Sequence, residues 1–254
     1  MPALCPWPYP LWIAHRGAGK LAPENTLAAF DCGLAHGYRM AECDVTLSRD
    51  GVAYLLHDER LERTTNGRGI ALEQTWALLA QLDAGTWQGE RFAREPLATL
   101  AALAAFAQAR GLVLNLEIKP GSGDDVRCGR FAAAETLRLW AGQAPLPLLS
   151  SFSHTALAAA RDAAPQLPRA HLFERLARGW LADALALGCV AIVVNHRALD
   201  SAAIAQAHAA GLRVLAYTVN DAAVAERLIS TGIDGLITDA VNRLGPGAAK
   251  PGSG

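Results

Sequence analysis

A repeated pattern of helix, glycine and short apolar run places the strongest constraint on how this chain can fold. Glycine separates a helical segment from an apolar run at Gly37, Gly111, Gly188, Gly211 and Gly232. Glycine is the usual residue just after a helix, where the backbone enters the left-handed region. The apolar runs are short enough to be strands, so the chain alternates strands with alanine- and leucine-rich helices. The predicted strands are 11–17, 40–47, 112–119, 146–152, 169–174, 190–195, 213–219 and 235–239.

Eight parallel strands that alternate with helices predict a closed (β/α)8 TIM barrel, with its functional site at the C-terminal strand ends. We predict one catalytic domain over residues 1–244 and a disordered, Gly- and Pro-rich tail over 245–254. A doubly wound open sheet is the structural alternative. It is disfavoured because it normally has fewer strands, and because no phosphate-binding GxGxxG sequence follows the first strand.

The segment between the second and third barrel strands is longer than an ordinary loop. Residues 51–58 predict a strand that extends the second one through a turn at Asp50-Gly51. Residues 59–99 then interrupt the alternation before helical periodicity resumes. Long insertions inside compact domains are uncommon unless they have a function. We therefore predict that 59–99 is a small insertion that caps the barrel mouth and faces the substrate.

The overall composition limits the function classes and the compartment. The formal net charge is −1 and no Lys/Arg block occurs, so a nucleic-acid surface is not expected. No signal-peptide pattern and no bilayer-length apolar run is present, so we expect no stable membrane insertion. The 5 cysteines are scattered without a CxxC pair, which argues against a disulfide framework and a thiolate zinc site. We therefore expect a cytoplasmic protein of undetermined oligomeric state.

Charged side chains stand at the ends of the first barrel strands. Glu42 and Asp44 are two residues apart on one strand and so face the same side, and Glu117 and Lys119 repeat this spacing. Charges on central parallel strands are costly unless they are paired or bind a metal. Three carboxylates at one barrel end predict a site for one divalent cation, Mg²⁺ or Ca²⁺ with Mn²⁺ as a further candidate, rather than zinc. The alternative is a set of structural ion pairs, Glu117–Lys119 and Glu42–Arg16.

Two histidines flank these carboxylates. His15 ends the first predicted strand and His57 ends the extension of the second. Paired imidazoles suit general acid and base catalysis, whereas Arg16 and Lys119 suit a phosphate oxyanion. A lone histidine is more often structural, and we assign no site role to the remaining ones, which lie on predicted helices or their ends, or on a strand without acidic neighbours. These are His36, His154, His171, His196 and His208.

The order of short motifs along the chain resembles a known enzyme family. The motifs are HRG at 15–17, PENT at 23–26, ECD at 42–44, LHD at 56–58, TNG at 65–67, LEIK at 116–119, SF at 151–152, TVN at 218–220 and DGLITD at 234–239. Together they are similar to the glycerophosphodiester phosphodiesterase family in its short, single-domain bacterial type. The resemblance covers residues 11–244.

The resemblance implies roles for the charged residues. In that family the metal ligands correspond to Glu42, Asp44 and Glu117, and the acid/base pair corresponds to His15 and His57. The phosphate-contacting cations correspond to Arg16 and Lys119.

Further positions are implied to support or line the site. Glu24 and Asn25 would support the site, although Asn25 could equally be a helix N-cap. Phe152 and Tyr217 would line the pocket beside the alcohol or glycerol moiety, with core packing as the alternative for an isolated strand aromatic. The chain departs from the family at Tyr217, where tryptophan is common, and at Ala240-Val241, where a proline is usual.

The implied reaction is metal-dependent hydrolysis of a small glycerophosphodiester to sn-glycerol 3-phosphate and an alcohol. The nucleophile is either the substrate's own 2-hydroxyl, which would give a cyclic phosphate first, or water, and the division of labour between the histidines is open. A lysophospholipase D and a cyclising lyase would use the same residues. A non-catalytic phosphate- or polyol-binding barrel is disfavoured because both histidines and all three carboxylates are present.

Overall fold

The computed structural model describes residues 4 and 6–247 of the chain. Its strands are β1 Trp12–Ala14, β2 Met40–Leu47, β3 Ala53–Leu55, β4 Val113–Ile118, β5 Leu148–Ser151, β6 Arg169–Phe173, β7 Ala191–Asn195, β8 Arg213–Tyr217 and β9 Gly235–Thr238. Its α-helices are α1 Leu27–Ala35, α2 Trp76–Leu79, α3 Leu100–Arg110, α4 Asp125–Leu139, α5 His154–Ala163, α6 Trp180–Ala186, α7 Ser201–Ala209 and α8 Ala222–Ser230. Short 3-10 helices cover Ala71–Glu73, Thr86–Gln88, Glu90–Phe92 and His196–Ala198.

The sheet is a closed barrel. Its strand order is β1-β9-β8-β7-β6-β5-β4-β2-β3, and the extra pairing of β1 with β2 closes the ring of eight parallel strands. The predicted (β/α)8 TIM barrel is therefore confirmed, and the open sheet is excluded. Gly111 ends α3 as expected for a glycine between a helix and a strand. Its backbone is left-handed, with φ 62°, and its N–H donates to the carbonyls of Ala107 and Gln108.

The predicted turn at Asp50-Gly51 is present, but the strand predicted over 51–58 is shorter, Ala53–Leu55, and does not prolong β2. The chain reverses at Gly51, which has φ +86°, and β3 returns antiparallel to β2 with Val45 opposite Leu55. The Ser48 hydroxyl fixes this reversal, since it accepts from the Val52 N–H at 2.9 Å and donates to the Asp50 carboxylate at 2.7 Å. The hairpin brings residue 57 back toward the level of Asp44 instead of carrying it away from the barrel.

Alternation along β2 and β4 separates an apolar outer face from a polar inner one. Ala41, Cys43 and Val45 are buried in the cluster that packs against the helices, whereas Met40 belongs to the interior cluster. Glu42 and Asp44 follow Met40 at two-residue steps and therefore point into the barrel. The lower barrel is thus apolar, and its upper layer carries the charges.

The barrel floor is closed by the N-terminal segment. Trp7 and Tyr9 pack on the interior apolar cluster, and the Tyr9 hydroxyl donates to the Leu146 carbonyl at 2.9 Å. Leu146 precedes β5, so this contact lies at the N-terminal strand ends, opposite the mouth. No helix in the described part of the chain is long and apolar enough to cross a membrane.

The segment 59–99 has its own small apolar cluster, which includes Leu61, Leu79 and Leu97. Hydrogen bonds tie it to the connection between β1 and α1 and to the first turn of α1. Gln88 Nε2 donates to the Lys20 carbonyl at 2.7 Å, and the Ala28 N–H donates to Glu95 Oε1 at 3.1 Å. Of the predicted tail, residues 245–247 form a turn, and 248–254 lie outside the described residues.

Gly129 allows α4 and α5 to pack closely, and its replacement tests this contact. A Cβ at this position would lie 2.2 Å from the carbonyl oxygen of Ala156. We expect Gly129→Ala to lower the free energy of unfolding, although alanine is favoured over glycine in a helix by about 0.8–1.0 kcal/mol. Urea denaturation measures the change, and Ala134→Gly on the exposed side of α4 calibrates the helix propensity. A more stable Gly129→Ala variant would show that the helices can separate without cost.

Candidate active site

Three buried carboxylates meet at the C-terminal end of the barrel. Glu42, Asp44 and Glu117 are 3%, 1% and 8% exposed, and each places an oxygen within 4.8 Å of the others. They converge because Asp44 and Glu117 are direct partners in the parallel register of β2 and β4. Burial raises the pKa of Glu42 well above its usual range, and the neighbouring Asp44 and Glu117 carboxylates raise it further. The cluster is therefore costly without a compensating positive charge.

One carboxylate oxygen of this cluster, Glu42 Oε1, is buried without a hydrogen-bond donor among the described residues. Glu117 Oε1 is also buried, and its partner is the Lys119 ammonium, whose Nζ lies 3.2 Å away. Buried carboxylate oxygens that lie this close together are the donor set that a hard divalent cation takes. The residues present therefore fit one such cation.

Arg16 and Lys119 place two positive charges beside the carboxylates. Arg16 Nε lies 3.4 Å from Asp44 Oδ2, and its backbone N–H donates to Glu42 Oε2 at 3.1 Å. Arg16 has φ 50°, an unusual value for a residue other than glycine. Lys119 Nζ lies 3.9 Å from Asp44 Oδ1. Both cations thus contact the predicted metal ligands. These contacts come in addition to the phosphate-binding role that the resemblance implies for Arg16 and Lys119.

Glu24 and Asn25 each hold one of these groups in place. Glu24 Oε1 accepts from Arg16 Nη1 at 2.8 Å, and Asn25 Nδ2 donates to Asp44 Oδ2 at 2.8 Å. The Asp44 N–H donates in return to Asn25 Oδ1 at 3.1 Å. The alternative role of Asn25 as a helix N-cap is wrong, because the Thr26 hydroxyl caps α1 by accepting from the Ala29 N–H.

Each predicted catalytic histidine has its own carboxylate. His15 Nδ1 lies 2.6 Å from Asp239 Oδ1, and His57 Nδ1 lies 2.6 Å from Asp58 Oδ1. A carboxylate on Nδ1 fixes the ring and places a proton on that nitrogen, which leaves Nε2 for other partners. His15 Nε2 is 3.8 Å from Glu42 Oε2, so the ring faces the carboxylate cluster.

The two histidine-bound aspartates were not assigned roles from the sequence. Both belong to motifs of the sequence, LHD at 56–58 and DGLITD at 234–239, and membership of these motifs is the signal that could have identified them. Burial raises the pKa of Asp239, but hydrogen bonds from His15 and Asn220 outweigh it and lower this pKa to about 2. Asp58 also accepts from Arg63, which holds its pKa well below the usual range. Both aspartates therefore remain charged partners of their imidazoles.

Arg63 of the insertion was also missed, because nothing local marks it. It donates to both oxygens of Glu24, at 2.8 and 2.7 Å, and it pairs with Asp58. The Arg63 guanidinium thus links Glu24, which binds Arg16, to Asp58, which binds His57. The insertion therefore contributes directly to how the site is held.

Phe152 and Tyr217 come together at the mouth. Their ring centroids are 5.9 Å apart at an interplanar angle of 83°, and Phe152 is 44% exposed, so it does not belong to the core. The Tyr217 hydroxyl donates to Glu174 Oε2 at 2.8 Å, and Asn195 Nδ2 donates to the other Glu174 oxygen. Tyr217 stands where tryptophan is common in the family, and it is held by a hydrogen bond from its hydroxyl. An indole at this position has no hydroxyl and could donate only from its ring N–H.

A cavity of about 520 Å³ opens beside His57 and Lys119. The insertion provides its outer wall through Glu59 and residues 70–73, and residues 120–122 after β4 provide the side next to Lys119. The described residues therefore leave space for a small molecule next to one predicted catalytic histidine and one predicted phosphate-binding cation.

Comparison with known proteins identifies the family to which this chain belongs. The Glycerophosphoryl diester phosphodiesterase family matches residues 15–243, nearly the whole described chain. The chain belongs to this family. The resemblance drawn from the motifs is thereby confirmed.

Individual relatives cover the same region. The chain is 33% identical to YhdW of Bacillus subtilis over 89% of its length and 93% of the relative. It is 31% identical to a glycerophosphodiester phosphodiesterase of Caldanaerobacter subterraneus over 90% of its length and 93% of that protein. An Oleispira antarctica phosphodiesterase, solved with the product sn-glycerol-3-phosphate, superposes with a TM-score of 0.85 at 34% identity, covering 91% of this chain and 94% of that one.

Proposed function

We propose that this chain is a metal-dependent phosphodiesterase that hydrolyses glycerophosphodiesters to sn-glycerol 3-phosphate and an alcohol. The observation that carries the proposal is the pair of carboxylate-bound histidines beside three buried carboxylates. Family membership supports it, and so does the product named for the Oleispira relative. A binding barrel without catalysis would have no need for two imidazoles held in one tautomer.

Glu42, Asp44 and Glu117 would hold one divalent cation. Such an ion supplies positive charge to a phosphate oxygen and lowers the pKa of a hydroxyl that it contacts. The all-carboxylate donor set supports Mg²⁺, Ca²⁺ or Mn²⁺ over zinc.

Arg16 and Lys119 bind the phosphoryl oxygens and stabilise the charge that builds up there. Arg16 is oriented for this by Glu24, which Arg63 holds from the other side. Because both cations are already within 4 Å of carboxylates, they need little reorganisation when the substrate arrives.

His15 and His57 transfer the protons. One Nε2 takes a proton from the nucleophile, which is the substrate 2-hydroxyl or a water, and the other gives a proton to the departing alkoxide. Asp239 and Asp58 hold the Nδ1 protons and stabilise each imidazole while it is charged. Phe152 and Tyr217 line the side of the pocket next to the glycerol moiety.

Residues 59–99 cap the mouth and complete the pocket. The contacts of this segment with Lys20, Ala28 and Glu24 support that placement. A second candidate substrate class is lysophospholipid, because Ile70, Leu78 and Trp87 of the cap are 38%, 55% and 40% exposed and offer an apolar surface.

We place the enzyme in the cytoplasm. Support comes from its cysteines: Cys43, Cys128 and Cys189 are buried and free, and Cys32 is free and half-buried. Unpaired buried thiols fit a reducing compartment.

Release of glycerol 3-phosphate from glycerophosphocholine tests the reaction and its metal requirement. We expect activity to vanish in EDTA and to return with excess Mg²⁺, Ca²⁺ or Mn²⁺, because the three carboxylates repel one another without a cation. A coupled glycerol-3-phosphate dehydrogenase assay measures the product, and lysophosphatidylcholine assayed in parallel tests the second candidate. No turnover of either substrate with any of the ions would contradict the proposal.

A further inference from the structure

Two uncharged polar side chains, Asn115 and Ser150, are buried beside the carboxylate cluster inside the barrel. This polar pair is 1% and 0% exposed. In the described part of the chain, neither Nδ2 nor Oδ1 of Asn115 has a hydrogen-bond partner, and neither has the Ser150 Oγ. Buried amide and hydroxyl groups are normally paired, since leaving them unpaired costs free energy. Three unpaired polar atoms in one place therefore require an explanation.

The strand register puts each member of the polar pair next to a predicted metal ligand. Asn115 is the direct partner of Glu42 in the pairing of β2 with β4, and Ser150 is the direct partner of Glu117 in the pairing of β4 with β5. Neighbouring strands lie about 4.8 Å apart, and paired residues of parallel strands point to the same side of the sheet. Both members therefore face the barrel interior together with the carboxylate beside them.

The hydrogen-bonding capacity of the polar pair complements these carboxylates. Glu42 Oε1 is a buried acceptor without a donor, and the Asn115 amide beside it carries two N–H donors. The Ser150 hydroxyl is an unpaired donor beside Glu117. Such neighbours exchange hydrogen bonds directly or through one ordered water. A carboxylate oxygen has two lone pairs, so a hydrogen bond and a cation can share it.

Apolar side chains fill the interior on strands away from the metal ligands. They include Leu172 on β6, Val193 on β7, Leu215 on β8 and Ile237 on β9, which all belong to the interior apolar cluster. The polar pair instead coincides with the part of the barrel that carries the carboxylates, although a buried apolar side chain has no hydrogen bonds to lose there. The placement of the pair therefore points to a role toward the cation.

We propose that Asn115 and Ser150 are positioning residues for the cation: Asn115 holds Glu42, and Ser150 holds Glu117, in the orientation that binds the ion. The inference rests on the proposed metal-dependent function and extends it to two residues that act through the ligands. Hydrogen-bond partners of metal ligands fix the direction of the ligand oxygens, and their loss weakens metal binding. Replacing an unpaired buried polar group by an apolar one of similar size is neutral or stabilising for the fold. Cation affinity and folding stability should therefore respond differently.

The cation affinity of two variants tests the proposal without any substrate. Asn115→Leu keeps the approximate size of the side chain and removes its polar atoms, and Ser150→Ala removes only the hydroxyl. In calorimetric titration of chelator-treated protein with Mg²⁺, Ca²⁺ or Mn²⁺ alone, we expect the Kd of Asn115→Leu to rise about 10–100-fold. Ser150→Ala should raise Kd about three- to tenfold, as expected for one hydrogen bond. In EDTA both variants should melt at the wild-type temperature or above it.

The matched control is Ser151→Ala, the same substitution one residue further along β5 and on the opposite face. The Ser151 hydroxyl is paired, since it donates to the Ile118 carbonyl at 2.7 Å and accepts from the Ser153 N–H at 3.1 Å. Its loss should lower the melting temperature in EDTA, whereas Kd should stay at the wild-type value. A hydroxyl that supports the fold and a hydroxyl that supports the cation thus give opposite patterns.

The outcomes separate the two proposals. If the wild type binds one of the ions and both variants bind it with the wild-type Kd, the positioning role is overturned and the phosphodiesterase function stays intact. Variants that melt at a lower temperature in EDTA and keep the wild-type Kd would make the polar pair structural, which also overturns the positioning role. A wild type that binds none of the three ions overturns the metal-dependent function itself.

Discussion

Replacing His15 or His57 with alanine is expected to lower kcat by about 10²–10⁴-fold, the range that a general acid or base supplies. Each imidazole is oriented by a carboxylate at 2.6 Å from Nδ1, so its loss removes a proton carrier already in position. KM should change much less, because the phosphate contacts that we propose for Arg16 and Lys119 remain. Steady-state kinetics with the preferred ion give both parameters.

The matched control is His36→Ala. His36 caps the C-terminus of α1, and its ring Nδ1 donates to the Cys32 carbonyl at 2.9 Å within the same helix end. This variant should keep wild-type kcat. Circular dichroism and thermal melting of all three variants separate loss of chemistry from loss of fold. Near wild-type kcat in either His15→Ala or His57→Ala would remove that histidine from the mechanism.

The aspartate partners refine the same prediction. Asp58→Asn and Asp239→Asn keep the size of the side chain but remove the charge that stabilises the imidazolium and fixes its tautomer. We expect losses in kcat smaller than those of the histidine variants. Because Asp58 also binds Arg63, its variant should additionally loosen the insertion, which limited proteolysis would detect.

The barrel could be predicted from the sequence because its signals are local. Side chains alternate along a strand, so Glu42 and Asp44 lie on one face of β2. Parallel pairing of β2 with β4 is then enough to bring Glu117 beside them. Helix-terminating glycines mark the start of the next strand without any knowledge of tertiary contacts. The convergence of charged residues at one barrel end follows from topology alone.

The parts that could not be predicted depend on long-range contacts or on turn geometry. Arg63 and Glu24 are 39 residues apart, and nothing in either local sequence indicates that they meet. The direction of the strand after Asp50 depended on the left-handed backbone at Gly51, so a hairpin could not be distinguished from an extension. Likewise the carboxylate bound to His15 comes from Asp239, at the far end of the chain.

Glu42→Gln is expected to abolish metal binding while it spares or strengthens the metal-free fold. The amide oxygen can keep the hydrogen bond from the Arg16 N–H, which now reaches Glu42 Oε2 at 3.1 Å. The amide NH₂ then takes the place of Oε1, the buried oxygen without a donor, and faces two carboxylates to which it can donate. Burial and the repulsion by Asp44 and Glu117 together raise the pKa of Glu42, and the neutral amide removes both costs along with one ligand oxygen.

Glu42→Gln should leave the stability without metal unchanged or raise it, and it should remove the stabilisation by metal. Melting temperatures measured in EDTA and with the cation report these two effects separately. In EDTA the variant should melt at the wild-type temperature or above it. With the cation at about 100 times its Kd, the wild type should gain about 2.7 kcal/mol, roughly 5–10 °C for a chain of this size, and the variant should gain almost nothing. Activity should fall at least about 100-fold, since even the loss of a ligand's hydrogen-bond partner costs 10–100-fold at metal sites.

The control is Glu226→Gln on the exposed face of α8, which removes one negative charge far from the cluster and should reproduce the wild-type shift. If Glu42→Gln instead lowered the melting temperature in EDTA and kept the cation-induced gain, Glu42 would be a structural partner of Arg16. The ion-pair alternative would then hold at that position, because a carboxylate that serves only its arginine stabilises the fold without metal. A variant more stable without the ion and indifferent to it is the result that only a ligand oxygen produces.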